Sequence, residues 1–222
     1  MTRIITVAQR KGGAGKTTLV CQLLTAFMAS GNSVAAIDAD DQGSLTRWAE
    51  VRAGRLGGLD FPLAQETSYG IASAVRRFRR ADEPPDFILI DTPPLLDRSL
   101  SRAVAAADLV LVPLQLSPLD LDATMPTARL IAEAEKPSLF IINRAPARAR
   151  IADMIRDQLR QSKLPMARSE LGNRAAFAES LAIGGGVVET SRRSAAAREI
   201  TTLAREVNRR VNAKPKRRPT AA

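Results

Sequence analysis

Between an apolar run, Ile4-Ile5-Thr6-Val7-Ala8, and a helix-like run, Leu19 to Ala29, the chain places Lys11-Gly12-Gly13-Ala14-Gly15-Lys16-Thr17-Thr18. Strand, glycine-rich turn and helix is the order in which a backbone wraps nucleotide phosphates. Glycines let successive N–H groups converge on an anion, and the N-terminus of the following helix adds partial positive charge. Lys16 is spaced to reach the β- and γ-phosphates, and the Thr17 hydroxyl to ligate Mg²⁺. The strict G-x-x-x-x-G-K-[ST] pattern fails at its first position, where Arg10 stands; a second lysine, Lys11, precedes the glycine pair.

The rest of the chain repeats the same alternation. Short, nearly continuous apolar runs at Ile4–Ala8, Ser33–Ile37, Phe87–Ile90, Leu109–Val112 and Leu139–Ile142 read as strands covered on both faces. Helical patterns intervene at Thr17–Ala29, Leu45–Arg52, Ile71–Arg80, Leu100–Ala106, Ala123–Ala134 and Ala149–Gln161, with connections at 53–62 and 82–86. Strict alternation of this kind predicts an α/β fold, a doubly wound and mostly parallel sheet flanked by helices. Ligands of such sheets bind beyond the carboxyl ends of the strands, where the glycine-rich loop falls. With 222 residues, 45% hydrophobic and 4% aromatic, the core must be built from Leu, Ile, Val and Ala.

Composition removes several classes. The single cysteine, Cys21, leaves no disulfide within the chain and no multi-cysteine metal site, and its place in an apolar helix reads as a buried thiol. Histidine, the usual general base and metal ligand, is absent. No apolar stretch approaches the ~18 residues of a membrane span, and the charged start at Arg3 runs straight into a strand. The expectation is a cytoplasmic protein with one domain over 1–212 and a basic, disordered tail over 213–222.

The formal charge of +10 is unevenly spread: residues 151–222 hold 15 Lys/Arg against 7 Asp/Glu, and residues 1–150 hold 18 against 16. Two readings stand, a surface for polyanions and a solvated basic face. The final helix, Ser194 to Asn212, carries Ile200, Leu203, Ala204, Val207 and Val211 as one stripe. It either docks on the domain or lies on a membrane surface, and the lack of Trp or Phe anchors disfavours the second.

Acidic residues close two of the strands. Asp38 and Asp40, two apart at a strand end, point toward the same ligand edge, and Asp91 emerges at the end of Phe87-Ile88-Leu89-Ile90. There a carboxylate can hold the hydration shell of Mg²⁺, which prefers hard oxygen ligands.

The two-lysine loop resembles the deviant Walker A form, K-G-G-x-G-K-[ST]-[ST], of the ParA/MinD family of ATPases, and the likeness runs over roughly residues 1–190. It implies the P-loop NTPase fold, with ATP held by Lys11, Gly12, Gly13, Ala14, Gly15, Lys16, Thr17 and Thr18, and Mg²⁺ as cofactor. It also implies an ATP-dependent homodimer in which Lys11 reaches the phosphates bound by the partner subunit while Lys16 serves its own. Asp38-Ala39-Asp40-Asp41-Gln42-Gly43 is similar to the family's D-x-D-P-Q-G run, with Asp41 in place of proline. By that resemblance Asp40 positions or activates the attacking water, and Asp38 supports the metal shell with Thr17 and Asp91. Asn143, closing the fifth run, matches an asparagine that hydrogen-bonds the adenine edge. Asn173–Ser180 and Gly184–Glu189 resemble the C-terminal pattern near which family members touch DNA phosphates without reading sequence; Arg174, Arg192, Arg193 and Arg198 are the matching candidates.

The function implied is a nucleoid-associated switch in the cytoplasm. It binds DNA non-specifically and hydrolyses ATP when stimulated by a cargo-bound partner protein, so that a plasmid, chromosome region or protein assembly is positioned. The short length leaves no room for an N-terminal helix-turn-helix domain. Alternatives that share the loop are a MinD-like membrane-positioned ATPase and a DNA-transfer accessory protein. Metallocluster carriers of the superfamily need interfacial cysteines that Cys21 does not supply.

Overall fold

Strands β1 (Arg3–Val7), β2 (Val34–Asp38), β3 (Leu63–Gln65), β4 (Phe87–Asp91), β5 (Leu109–Leu114) and β6 (Ser138–Ile142) form one sheet in the order β3-β2-β4-β1-β5-β6. Every pairing is parallel. The structure is a computed structural model describing residues 1–67, 69–94, 98–146 and 150–213. Successive strand residues point to opposite faces, and the core divides accordingly. Ile5, Val7, Val34, Ala36, Leu89, Leu109 and Leu111 are buried toward one face. On the other, Ile4, Ala35, Ile37, Ile88 and Ile90 form one cluster, and Val110, Val112, Leu114, Phe140 and Ile142 another.

Helix α1 (Lys16–Ala29) covers the first face with α2 (Ser44–Leu56), α7 (Ala175–Ala182), α8 (Val187–Thr190) and α9 (Ala195–Asn212). The opposite face carries α3 (Ile71–Arg79), α4 (Arg98–Ala106), α5 (Pro118–Glu133) and α6 (Arg150–Gln161). β1 sits centrally between β4 and β5. The chain winds from it to β2 on one side and later crosses to β5 on the other. The loop after β1 therefore opens at the crevice where the winding reverses.

Several sequence expectations shift. The sheet has six strands rather than five, because Leu63–Gln65 pairs with Ala36–Asp38. Helix α2 runs on to Leu56, into the stretch read as a connection, and stops at Gly57 with φ 77°. Helix α5 begins at Pro118, not Ala123: Ser117 caps it, its hydroxyl accepting from the Asp120 N–H at 3.1 Å. In α9, Ile200, Leu203, Ala204, Val207 and Val211 are all buried. The stripe is docked against α1 and the sheet, and so is not free to lie on a lipid surface. The tail from Lys214 onward and Ala149 lie outside the described residues. No helix among the described residues is long and apolar enough to cross a membrane.

Candidate active site

The loop after β1 closes with Gly15 at φ 91°, a left-handed conformation open to glycine at little cost. A Cβ there would sit 2.3 Å from the Asn143 amide nitrogen, so the position also demands the smallest residue. Asn143, at the end of β6, donates to the Ala14 carbonyl at 2.8 Å and accepts from the Arg144 N–H at 3.0 Å. It thus props the loop from beneath while lining a cleft of about 390 Å³ with Asn173, Phe177 and Leu181. That cleft shares Thr18, Arg144, Ala178 and Leu181 with a larger one of about 680 Å³ lined by Gly12, Gly13, Gly15, Lys16, Thr17 and Asp40. The glycine-rich loop and a half-apolar recess are therefore contiguous.

Lys16 is only 7% exposed. Burial draws its pKa below the ordinary lysine value, and Asp91 and Asp40 pull the other way. Thr17 donates its hydroxyl to Asp91 Oδ2 at 2.6 Å. Asp91 is wholly buried, and desolvation pushes its pKa up to about 7; Asp38 and Asp40 add to the rise, while Thr17 and Lys16 oppose it. Its Oδ1 is buried with no hydrogen-bond partner. A buried carboxylate oxygen without a donor, beside a threonine hydroxyl, is the hard-oxygen pair that a Mg²⁺ shell needs, so the residues fit the cofactor.

Asp38 lies opposite Asp91 in the β2–β4 register. It accepts from the Thr46 N–H at 2.9 Å, the Thr46 hydroxyl at 2.8 Å and the Asp40 N–H at 3.2 Å. In this arrangement it anchors the turn that carries Asp40, and Asp40 faces the larger cleft with its Oδ1 accepting from Gln42 N–H at 3.0 Å.

Lys11 turns back on its own chain, its Nζ 2.8 Å from Asp120 Oδ2 on α5. The same helix holds the residues just before it. The Gln9 amide donates to Thr124 Oγ1 at 2.9 Å, Thr127 Oγ1 donates to Gln9 Oε1 at 3.3 Å, and the Arg10 N–H reaches Thr127 Oγ1 at 3.3 Å. Asp120, Thr124 and Thr127 fall on one face of α5, so a polar stripe fastens the entry to the loop. The sequence reading missed this helix face; the Ser117-Pro118 pair, a cap followed by proline, was the signal for where α5 starts.

Of the C-terminal arginines, Arg174 is held by Glu199, with Nε at 3.0 Å and Nη2 at 2.5 Å, and its side chain is 41% exposed. The same carboxylate takes the Gly172 N–H at 3.0 Å, so the pair braces the loop against α9. Arg192, Arg193 and Arg198 are exposed, and Arg198 donates to the Arg193 carbonyl at 2.8 Å. Among the described residues no group of three or more His, Cys, Asp or Glu side chains could by itself hold a metal. Mg²⁺ needs no such cage, since it takes few protein ligands and completes its shell with substrate phosphates and water.

A parallel sheet with this loop at its switch point, two lysines in the loop and aspartates on neighbouring strand ends defines the class: P-loop ATPases of the deviant Walker A, ParA/MinD type. Within that class the profile of the VirC1 protein family matches residues 2–213, and the chain belongs to that family. It is 27% identical over 210 residues to the maintenance of carboxysome distribution protein A of Halothiobacillus neapolitanus, covering 91% of this chain and 95% of that one. To protein ParA of Rhizobium radiobacter it is 32% identical over 157 residues, 71% of this chain and 67% of that one. Among solved structures, the septum site-determining protein MinD complexed with Mg-ADP from Pyrococcus horikoshii superposes with a TM-score of 0.75 at 22% identity, covering 96% and 98% of the two chains.

Proposed function

We propose that the protein is an ATP-driven positioning switch that dimerises around two nucleotides, holds non-specific DNA in that state and lets go after hydrolysis. The observation that carries this reading is the pairing of a two-lysine loop with the buried Thr17–Asp91 couple, whose free oxygen awaits a cation. Mg²⁺ bound there neutralises phosphate charge. Lys16 and the loop N–H groups grip the β- and γ-phosphates, Asp40 orients the attacking water, and the recess beside Asn143 takes the base. Charge grows on the γ-phosphoryl oxygens during transfer, and a cation added at that moment lowers the barrier. Lys11 is that cation, delivered across the twofold to the partner's nucleotide once it leaves Asp120. The name of one relative, a carboxysome-distribution protein, supports a positioned cargo; travel along the nucleoid and a cargo-bound stimulating partner complete the proposal.

Sedimentation and retention on random-sequence DNA, with Mg²⁺ and either ADP or a non-hydrolysable ATP analogue, test the switch. Dimers and DNA retention are expected with the analogue only; equal behaviour in both nucleotides overturns it. Asp40→Ala is expected to keep ATP-dependent dimers on DNA and to stop turnover. Turnover at the wild-type rate removes Asp40 from its role.

A further inference from the structure

Asp40 reaches the larger cleft on a tight turn. The Gly43 N–H returns to the Asp40 carbonyl at 2.8 Å, so Asp40 to Gly43 make one turn between β2 and α2. Asp38 fastens its beginning through the Asp40 N–H at 3.2 Å. Gly43, at φ 61°, passes straight into α2 with no side-chain cap. At the second place of such a turn a proline presets the backbone. Asp41 stands there instead, and its N–H makes no hydrogen bond among the described residues. The far half of the turn therefore depends on some other restraint.

Arg47, one turn into α2, supplies it. Its Nη1 donates to the Gln42 carbonyl at 2.5 Å and its Nη2 to Ser44 Oγ at 3.2 Å. Gln42 is thus held at both of its backbone groups, because its N–H already serves Asp40 Oδ1 at 3.0 Å. The contacts run without a break from guanidinium to Gln42 carbonyl, and from Gln42 N–H to the carboxylate. Arg47 lines the same cleft of about 680 Å³ as Lys16 and Asp40. Both of its Nη atoms are spent on the turn, which places it as a clamp and not as a phosphate ligand. Arg47 and Gln42 are exposed, and a nucleotide seated in the cleft strengthens such a bond by excluding water from it.

Resting on the reading of Asp40 as the carboxylate that orients the attacking water, we propose that Arg47 is a positioning residue for hydrolysis: it grips the Gln42 carbonyl and stiffens the turn that aims Asp40, the task a proline at position 41 would perform. A carboxylate on a loose turn spends little time aligned with a water, and alignment held in advance lowers the barrier. Arg47 touches neither the water nor the phosphates in this scheme. It acts on kcat and leaves the affinity for ATP alone.

Steady-state phosphate release by the full chain with Mg²⁺ and ATP, at protein concentrations that saturate dimerisation, gives kcat and KM. R47A is expected to lower kcat about 5- to 30-fold, the worth of one or two lost hydrogen bonds. Its KM and its dimerisation with a non-hydrolysable analogue should stay within about two-fold of wild type, as uniform binding is untouched. In a D41P background, where the turn is preset by proline, the same R47A change should cost less than about three-fold in kcat. Wild-type kcat in R47A overturns the proposal. So does a loss confined to KM, which would put Arg47 on the bound nucleotide. An R47A loss undiminished by D41P would make the guanidinium a cation serving the phosphates, and also refutes it. D40A separates the two levels of the argument. Wild-type turnover in D40A removes the reading of Asp40 and this proposal together, whereas a slow D40A beside a fast R47A removes this proposal alone.

Discussion

Stability of the nucleotide-free and Mg²⁺-free protein between about pH 5 and pH 7 should report on a single carboxyl. The chain has no histidine, so no other side chain ordinarily titrates in that interval. Asp91 does, because burial lifts it from an ordinary 3.8 to about 7. The folded state then keeps a proton that the unfolded chain has already released. Stability is fully present below the unfolded value, falls as pH climbs through the interval and levels off above the folded value. The slope approaches about 1.4 kcal/mol per pH unit, and the whole descent amounts to roughly 4 kcal/mol. Asp60 and Glu189 work in the opposite sense. Their lowered pKa values give stability that is lost only when pH drops through the ordinary carboxyl range, below the interval. Urea midpoints in EDTA at half-unit steps measure the descent, with Asp91→Asn as the comparator that should be flat. Supplying Mg²⁺ and ATP at about pH 6 should expel close to one proton from the site, visible as a buffer-dependent heat of binding. A wild-type profile flat from pH 5 to 7, or an Asp91→Asn profile that descends as steeply, would refute the assignment of Asp91 as a strained, cation-seeking carboxyl.

Lys16→Ala should weaken nucleotide binding by about 100-fold, the worth of a buried charge-assisted contact; titration with a fluorescent ATP analogue would show it. Asp120→Asn releases Lys11 from a half-exposed ion pair worth up to about 1 kcal/mol, so ATP-dependent dimers should form at a several-fold lower protein concentration in sedimentation equilibrium. Arg52→Ala removes a buried guanidinium from Asp60 and Glu189, whose carboxylates still reach water, and should cost roughly 1–3 kcal/mol, read as a lower urea midpoint. Gly184→Ala should destabilise by about 2 kcal/mol or more, since φ is 64° and a Cβ would lie 2.3 Å from the Arg52 backbone nitrogen; a thermal melt decides it.

What could be read from the sequence was whatever local patterning determines. Strands β1, β2, β4, β5 and β6 are apolar runs, and the loop announces itself through glycines and lysines in a fixed spacing. β3 escaped because three residues, Leu63–Gln65, carry no periodicity; only its partner β2 makes it a strand. Helices α7 and α8 are short, eight and four residues, and owe their existence to Phe177 and Val187 buried on the α1 side. Within the site, the types of Asp38, Asp91 and Asn143 were legible, but their bonding was not. The partners Thr46, Thr17 and Ala14 are brought near by the sheet and its turns rather than by any motif. Lys11 shows the limit most clearly, since its companion Asp120 is 109 residues away.

The docking of α9 has a bearing on how the chain is made. Ile200, Leu203 and Val207 seal the face of α1 that begins at the nucleotide loop, yet they are synthesised long after it. Until they emerge, a nascent chain already holding the strands carries an open apolar flank beside its most functional segment. Because domains fold as units during synthesis and exposed apolar flanks invite aggregation, competence to bind ATP should arise only after α9 has emerged, with chaperones guarding the interval.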